Sequence, residues 1–324
     1  LIKRLEAPTA PGRHSAALAL GLMAAREAVE PLMRALRDPS ADVRANAAWA
    51  LGRIDDKSAA KALEGVLGDQ HPEVRAAAVV ALGRLENKES VEALLKILRE
   101  DPSPEVRRVA AWSLGQLDDR SARTGLATAL RSDKSEDVRE MCAWALAELG
   151  SRESVEALTA AMKSDESAEV RETATWALGE LGDRKATDAL AEVLGTDKEP
   201  DVRGVAAWAL GQIDPGRAPA NLVKALQDTD DDVRLKAAWA LSQIADPDAA
   251  PAVATALKTE KRERVRQAEI RALLQAGDES EPVLRDLLES KDAKVREMAV
   301  RALAGRRSGP WPWPWPWPRP RPTP

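Results

Sequence analysis

The stretch ADVRANAAWALGRI at residues 41–54 decides the fold, because close copies of it recur along the chain. Strong copies are PEVRRVAAWSLGQL (104–117), EDVREMCAWALAEL (136–149), AEVRETATWALGEL (168–181), PDVRGVAAWALGQI (200–213) and DDVRLKAAWALSQI (231–244), and weaker ones lie at 11–23, 72–85, 263–276 and 293–306. The conserved-looking arginine of each copy sets a spacing of 30 to 32 residues. That period fits two short helices and two turns per repeat.

Each repeat carries the apolar pattern of a pair of amphipathic helices. The second helix presents one stripe at helical spacing, formed by Val43, Ala47, Ala50, Leu51 and Ile54. The first helix points Val29, Leu32 and Leu36 inward and breaks at Pro39. Neither helix buries its stripe alone, whereas stacked repeats form one continuous core. The sequence therefore predicts an all-α solenoid of about ten two-helix repeats over residues 1–305, with a truncated first repeat.

Composition excludes several classes of function. The 324 residues are 44% hydrophobic but only 3% aromatic, so the core is built from Ala, Leu and Val. A net charge of −5, from 48 basic and 53 acidic residues, argues against a general nucleic-acid binder. The single Cys142 excludes an internal disulfide framework, and His14 and His71 lie far apart without a neighbouring second ligand. We predict no metal, no cofactor and no catalytic site, and no stretch reaches the ~20 apolar residues of a membrane span.

The repeats resemble the HEAT family, in particular its short bacterial HEAT-like subtype associated with phycobilisome lyases. The resemblance covers nearly the whole chain up to about Gly305. It implies a right-handed superhelical α-solenoid whose second helices line the concave surface. It also suggests a bilin-lyase-like activity, but only by resemblance, since no Ser/His/Asp or Cys/His constellation supports catalysis. We therefore predict that the chain is not an enzyme.

The resemblance further implies a ladder in which an acid before the second helix and an arginine within it link neighbouring repeats. The matching residues are Asp38, Arg44, Asp69, Arg75, Asp101, Arg107, Asp133, Arg139, Asp165, Arg171, Asp197, Arg203, Asp228 and Arg234. Glu260 takes the acid's place in the next repeat, and Ser290 breaks the series. We interpret this ladder as structural.

Six tryptophans form a column, each of them six residues after the motif valine: Trp49, Trp112, Trp144, Trp176, Trp208 and Trp239. At ~100° per residue they lie roughly opposite the apolar stripe. One interpretation is a row of indoles in the inner groove, with residues such as Gly52 and Gly115 as flat shelves, that binds proline-rich or other extended peptides. The other is that the rings lie over the adjacent repeat and seal the seam. Val80 interrupts the column.

The last sixteen residues read GPWPWPWPWPRPRPTP (309–324). Alternating Trp-Pro excludes a helix, because proline lacks the N–H donor and clashes with the preceding turn. After a linker at 306–309, the sequence predicts a polyproline II tail over 310–324. Exposed apolar runs mark contacts, so we expect the indoles of the tail to act as anchors: Trp311, Trp313, Trp315 and Trp317.

The two ends of the repeat array are unlike each other, and neither reads as a polar cap. The front begins within a repeat, and the rear keeps Met298, Val300 and Leu303. Such ends predict head-to-tail stacking of copies of this chain. We therefore predict a structural protein that forms filaments, with the tail docking on an adjacent subunit. The alternative is a monomeric scaffold whose tryptophan-lined groove binds extended partners. A start at Leu1 suggests a processed fragment of a longer precursor, which favours an extracellular or cell-surface location over a cytoplasmic one.

Overall fold

The computed structural model describes residues 1–150, 152–277 and 280–304. The predicted linker at 306–309 and the predicted polyproline II tail at 310–324, with its four tryptophan anchors, lie outside the described residues. Within the described ranges every regular element is a helix, and the helices form ten successive pairs. These residues divide into two units, Leu1–Ser154 and the chain from Val155 onward. Each unit is described by itself.

The first unit contains nine α-helices. Their bounds are α1 Ala10–Leu22, α2 Val29–Ala35, α3 Ala41–Ile54, α4 Ala60–Glu64, α5 Pro72–Arg84, α6 Val91–Glu100, α7 Pro104–Gln116, α8 Arg123–Ser132 and α9 Glu136–Glu148. Short 3₁₀ helices precede or replace the first helix of each pair, at Ile2–Glu6, Arg26–Ala28, Lys57–Ala59, Lys88–Ser90, Arg120–Ala122 and Arg152–Ser154. The second helices pack in series, α1 on α3, α3 on α5, α5 on α7 and α7 on α9.

The described part of the second unit repeats this plan. Its α-helices are α10 Val155–Ser164, α11 Ala168–Leu181, α12 Thr187–Thr196, α13 Pro200–Ile213, α14 Ala220–Lys224, α15 Asp231–Ile244, α16 Ala250–Thr259, α17 Glu263–Gln275, α18 Glu281–Asp286 and α19 Ala293–Leu303. Its 3₁₀ helices include Arg184–Ala186, Ala225–Gln227, Pro247–Ala249 and Leu287–Glu289. Again each first helix packs on its own second helix, and α11, α13, α15, α17 and α19 pack in series.

Local sequence explains where the helices begin and end. Pro72 and Pro104 open α5 and α7 at a position where the missing N–H has no helical partner to lose. Helix α3 ends at Asp55, whose φ of 58° places it in the left-handed conformation that stops a helix. The next 3₁₀ turn begins at Asp56, whose carboxylate accepts the backbone N–H of Ser58.

The core forms where the predicted stripes meet. The stripe of α3 is buried along its whole length. Val29, Leu32 and Leu36 are buried as well, so both helical stripes of this repeat are confirmed. Because α3 also packs on α1 and α5, the apolar core continues from one repeat to the next. The predicted all-α solenoid fold is confirmed.

Candidate functional site

In most repeats the arginine of the second helix binds two successive loops. In α3, Nε and Nη2 of Arg44 donate to the Asp69 carboxylate at 2.7 and 2.9 Å. Nη1 of the same guanidinium donates to the carbonyl oxygen of Asp38 at 2.8 Å. Asp69 stands before the next second helix and Asp38 before its own, so one side chain ties two neighbouring repeats. The hydrogen bond from Arg44 holds the pKa of Asp69 below its usual value.

The same two-pronged pairing recurs within both units. It joins Arg13 to Asp38, Arg75 to Asp101, Arg107 to Asp133, Arg171 to Asp197, Arg203 to Asp228 and Arg234 to Glu260, with the shorter N–O distance between 2.6 and 2.8 Å. Planar guanidinium–carboxylate pairs of this kind are the geometrically specific form of ion pair. Arg139 donates Nη1 to the carbonyl oxygen of Asp133 at 2.9 Å, as its counterparts do.

One detail of the ladder differs from the prediction. Ser290 was expected to break the series, yet Nη2 of Arg266 lies 2.9 Å from Oδ2 of Asp292. The acid has moved two residues along the loop to the N-cap of α19, where its carboxylate also accepts the N–H of Lys294. Loop residues two positions apart can point a carboxylate at the same arginine, so a fixed register missed this pair.

Four tryptophans of the column lie against the preceding repeat. A Cβ placed on Gly21, Gly115, Gly179 or Gly211 would lie only 2.6 to 3.2 Å from the ring carbon Cζ3 of the tryptophan one repeat later. These tryptophans are, in the same order, Trp49, Trp144, Trp208 and Trp239. The glycine column therefore gives room for indole edges, and these four rings seal seams between repeats. This is the second of the two interpretations drawn from the sequence.

The exposure of the rings falls into two groups. Trp144, Trp208 and Trp239 are only 3%, 2% and 5% exposed, so the expectation of an open aromatic face is wrong for these three. The edges of these rings are buried because they contact the preceding repeat. A helical wheel drawn for a single repeat does not show that contact. Trp49, Trp112 and Trp176 are half-buried. The guanidinium carbon of Arg53 lies 5.8 Å from the ring centroid of Trp49. Binding of the tail to these rings stays a prediction.

A cavity opens where the column is interrupted. It measures about 210 Å³ and is lined by Trp49, Gly52, Ala76, Ala77, Val80, Ala81, Arg84, Glu105 and Val109. By the pattern of the other repeats, a tryptophan at position 80 would turn its ring toward Gly52. Val80 is too small to do so, and the nearest atoms to a Cβ on Gly52 belong to Ala81. The cavity is the space of one missing indole.

Replacing Gly211 with alanine is expected to destabilise the fold by about 1–2 kcal/mol. The added methyl would lie 2.6 Å from Cζ3 of Trp239 and 2.9 Å from Cα of Ala240, and this overpacking outweighs the helix propensity that alanine adds. Gly204→Ala in the same helix is the control, because the atoms nearest to its methyl are side-chain atoms of Lys236 and Asp232 at 3.1 to 3.7 Å, and no ring or backbone atom is among them. Urea unfolding followed by circular dichroism measures both. Equal stability of the two variants would contradict this packing.

Glu269 is a charged residue in the core that the sequence analysis did not single out. It stands four residues after the motif valine, in the slot of Ala47 and Cys142, and it is 0% exposed. Neither of its carboxylate oxygens has a hydrogen-bond partner in the described ranges. Burial raises the pKa of Glu269 to about 8, with a smaller contribution from Glu260 that is opposed by Arg234 and Arg266. Comparing the slots of the repeats would have found it.

The residues considered for metal or nucleophilic chemistry lie apart. His14 faces Asn46 at 2.8 Å, and His71 faces Glu73 at 3.3 Å. Cys142 is buried, and burial raises the pKa of its thiol. In the part of the chain that the structure describes, no three His, Cys, Asp or Glu side chains gather into a group suited to a metal ion. No helix in the described ranges has the length and apolar character to cross a membrane.

Comparison with known proteins places the chain among repeat proteins. The family model for HEAT repeats matches residues 1–74, 65–140, 124–211 and 193–274. A crystal structure of an engineered protein is 24% identical, with 94% of this chain and 97% of that chain covered and a TM-score of 0.55. YibA from E. coli is 21% identical over 78% of this chain and 95% of its own, with a TM-score of 0.55. No curated protein matches the sequence.

A larger solved structure has the same fold. A chain from the complex in which Kap95p binding induces RanGDP to adopt the GTP-bound conformation aligns with a TM-score of 0.65 at 14% identity. The alignment covers 93% of this chain but 50% of that one. At these identities the likeness is one of fold. HEAT repeats form scaffolds for protein–protein interaction, and the matched repeats make this chain such a scaffold. The chain belongs to the HEAT-repeat family.

Proposed function

We propose that this scaffold binds copies of itself, stacking head to tail into a filament in which the Trp-Pro tail of one subunit docks on an adjacent subunit. The proposal rests on the two terminal repeats, taken one at a time. Each of them leaves exposed an apolar position that inner repeats bury.

In the first repeat the position is that of Met23. The same position in the next three repeats holds Ile54, Leu85 and Leu117, which are buried, whereas Met23 is 67% exposed. Leu22 beside it is also exposed. In the last repeat the position is that of Val300, which is 55% exposed.

The counterparts of Val300 in inner repeats are buried side chains such as Val79 and Ile270. Full burial of one large apolar side chain contributes about 1.5–3 kcal/mol, so a copy seated on either end would gain what inner repeats already have. The two faces differ in residues, and a contact between unlike faces propagates as a filament unless it closes into a ring.

Charge supports a role for the tail. Positions 305–324 carry four arginines and no acid, whereas the whole chain has a net charge of −5, so the repeats alone are still more acidic. Four indoles and a cationic end form a segment suited to an acidic surface with apolar recesses. Docking on a neighbour would reinforce a stack that the end faces begin.

The test is light scattering and negative-stain microscopy of the full chain over a range of concentrations. Wild-type chain is expected to form long assemblies, and Met23→Lys or Val300→Lys is expected to reduce it to the mass of one chain, because a buried lysine has no partner at the contact. Gln116→Lys, at an exposed position of α7, is the control. Replacing the four tail tryptophans with serine should shorten the assemblies. A wild-type chain that scatters as a monomer at every concentration would refute the proposal.

A second candidate is a monomeric scaffold for proline-rich or other extended peptides. It is favoured by Trp49, Trp112 and Trp176, which are only half-buried and so leave part of each indole open to a peptide. A peptide carbonyl is a suitable acceptor for an indole N–H. Saturable binding of a proline-rich peptide by a chain that stays monomeric would favour this candidate over the filament.

A further inference from the structure

We propose that the cavity at Val80 is the docking site for a tail tryptophan, one of Trp311, Trp313, Trp315 and Trp317, donated by a second copy of the chain. This inference rests on the proposed function and names the point of contact. In it, the missing indole of one subunit's column is supplied by its neighbour.

The size of the cavity suits one indole. A cavity of about 150 Å³ lined by aliphatic and aromatic side chains binds a benzene ring, and this one measures about 210 Å³. A cavity of this volume can hold the two rings of one indole. Trp49 and Val80 are only half-buried, so the apolar wall is reachable from solvent.

The chemistry of the lining matches a tryptophan in two ways. Its walls are the ring of Trp49 and the side chains of Ala77, Val80 and Val109, which offer an aromatic face and aliphatic contacts. Glu105 lies exposed at its rim. The Glu105 carboxylate accepts hydrogen bonds from Nε and Nη2 of Arg108 at 3.0 and 2.9 Å. That carboxylate has further lone pairs, so it can accept an indole N–H.

The occupant is selected by what else the chain contains. There is no Phe and no Tyr, and six of the ten tryptophans already stand in the column. The four that remain lie in a segment whose only charges are arginines, Arg319 and Arg321 following the Trp-Pro run. Glu105 is paired with Arg108 and the cavity lining also includes Arg84, so the choice of occupant rests on the apolar walls and not on charge. The four tail tryptophans are thus the aromatic side chains of this chain that lie outside the column and could fill the cavity.

The test is photo-crosslinking between full-length chains. Arg84→Cys places a thiol at the exposed rim, where benzophenone maleimide can be attached, while buried Cys142 is protected from the reagent. Benzophenone-carrying chain of natural isotope content is mixed with ¹⁵N-enriched chain that carries no benzophenone. The concentration is one at which light scattering reports assembly. Mass spectrometry then identifies which residues are crosslinked and from which copy they come.

We expect crosslinks to residues 311–317 carrying ¹⁵N. Adding Val80→Trp, which fills the cavity with the chain's own ring, should lower their yield about tenfold or more, as the loss of an interface hot spot does. The control label on Arg37→Cys, at an exposed position in the second repeat, should give no tail crosslinks. Leu18→Trp adds an indole to the column without filling the cavity and should leave the yield unchanged.

Three results would overturn the inference. Crosslinks to the tail that persist in Val80→Trp would place the tail elsewhere, and tail peptides of natural isotope content only, with ¹⁵N chain in excess, would mean docking within one chain. Assembly by light scattering without any tail crosslink would reject this cavity while leaving the proposed filament intact. A monomeric chain would instead mark a failure of the proposed function itself, so the two failures are distinguishable.

Discussion

Asp101→Ala is expected to lower the free energy of unfolding by about 3–5 kcal/mol, because it leaves the buried guanidinium of Arg75 without its carboxylate. The Asp101 side chain is only 2% exposed and that of Arg75 9%, and the pair is joined by two bonds of 2.6 and 2.8 Å. The carboxylate also accepts the N–H of Ser103, the N-cap of α7, so the hydrogen-bonded turn that precedes this helix is lost as well. Urea unfolding monitored by circular dichroism measures the change.

The neighbouring residue supplies a matched control for this substitution. Glu100→Ala removes a carboxylate that is 51% exposed and pairs with the exposed Arg99. Surface pairs of this kind contribute at most about 1 kcal/mol, and often nothing measurable. Asp101→Asn keeps the shape and one acceptor oxygen, so its cost should fall between the two. Equal losses from Asp101→Ala and Glu100→Ala would show that the ladder does not stabilise the stack.

Glu269→Gln is expected to change how stability depends on pH. The pKa of Glu269 is raised to about 8 by burial, from the 4.5 of a free glutamate. Between these values the folded chain holds a proton that the unfolded chain releases, so wild-type stability is highest near pH 5 and falls as pH rises toward 8. Integrated over that window the loss is about 3–5 kcal/mol. Glutamine cannot titrate, so the variant should match wild type near pH 5 and exceed it at pH 9.

The comparison needs a control in the same helix. Glu263→Gln removes an exposed carboxylate from the first turn of α17, and its pH profile should run parallel to that of wild type. The ladder acids do not confuse the result: the pKa of Asp69, for example, is lowered by Arg44, so its contribution is lost only as pH falls through that lowered value, in the acid range. Wild type and Glu269→Gln profiles that stay parallel from pH 5 to pH 9 would contradict the assignment.

The fold was predictable because each repeat independently carries the apolar pattern of a pair of amphipathic helices. The valine, alanine and leucine positions of α3 fix which face is buried, and the arginine of every copy fixes the period. The ladder could also be anticipated, since an acid and an arginine recur at constant spacing. The predicted register fails at Asp292, where the acid lies two residues further along its loop.

The candidate site was harder to predict because it depends on contacts between repeats. A helical wheel for α13 places Trp208 opposite the apolar stripe, yet its ring edge meets Gly179 of the repeat before. That contact joins residues 29 positions apart, which a single repeat cannot reveal. The glycines were interpreted as shelves for the ring of their own repeat, whereas they make room for the ring of the next. The cavity at Val80 arises where this contact between repeats is absent, so the pattern of a single repeat could not predict it either.

The arginines that bind two successive loops also affect how the array responds when one repeat unfolds. Arg44 is bonded to the loop of its own repeat and to the acid of the next, so loosening of either loop weakens the hold of this side chain on the other. Unfolding of one repeat therefore removes hydrogen bonds from its neighbour, in addition to packing contacts. We therefore expect repeats linked in this way to unfold cooperatively with their neighbours. A repeat array gains from this the cooperativity that a compact protein obtains from its single core.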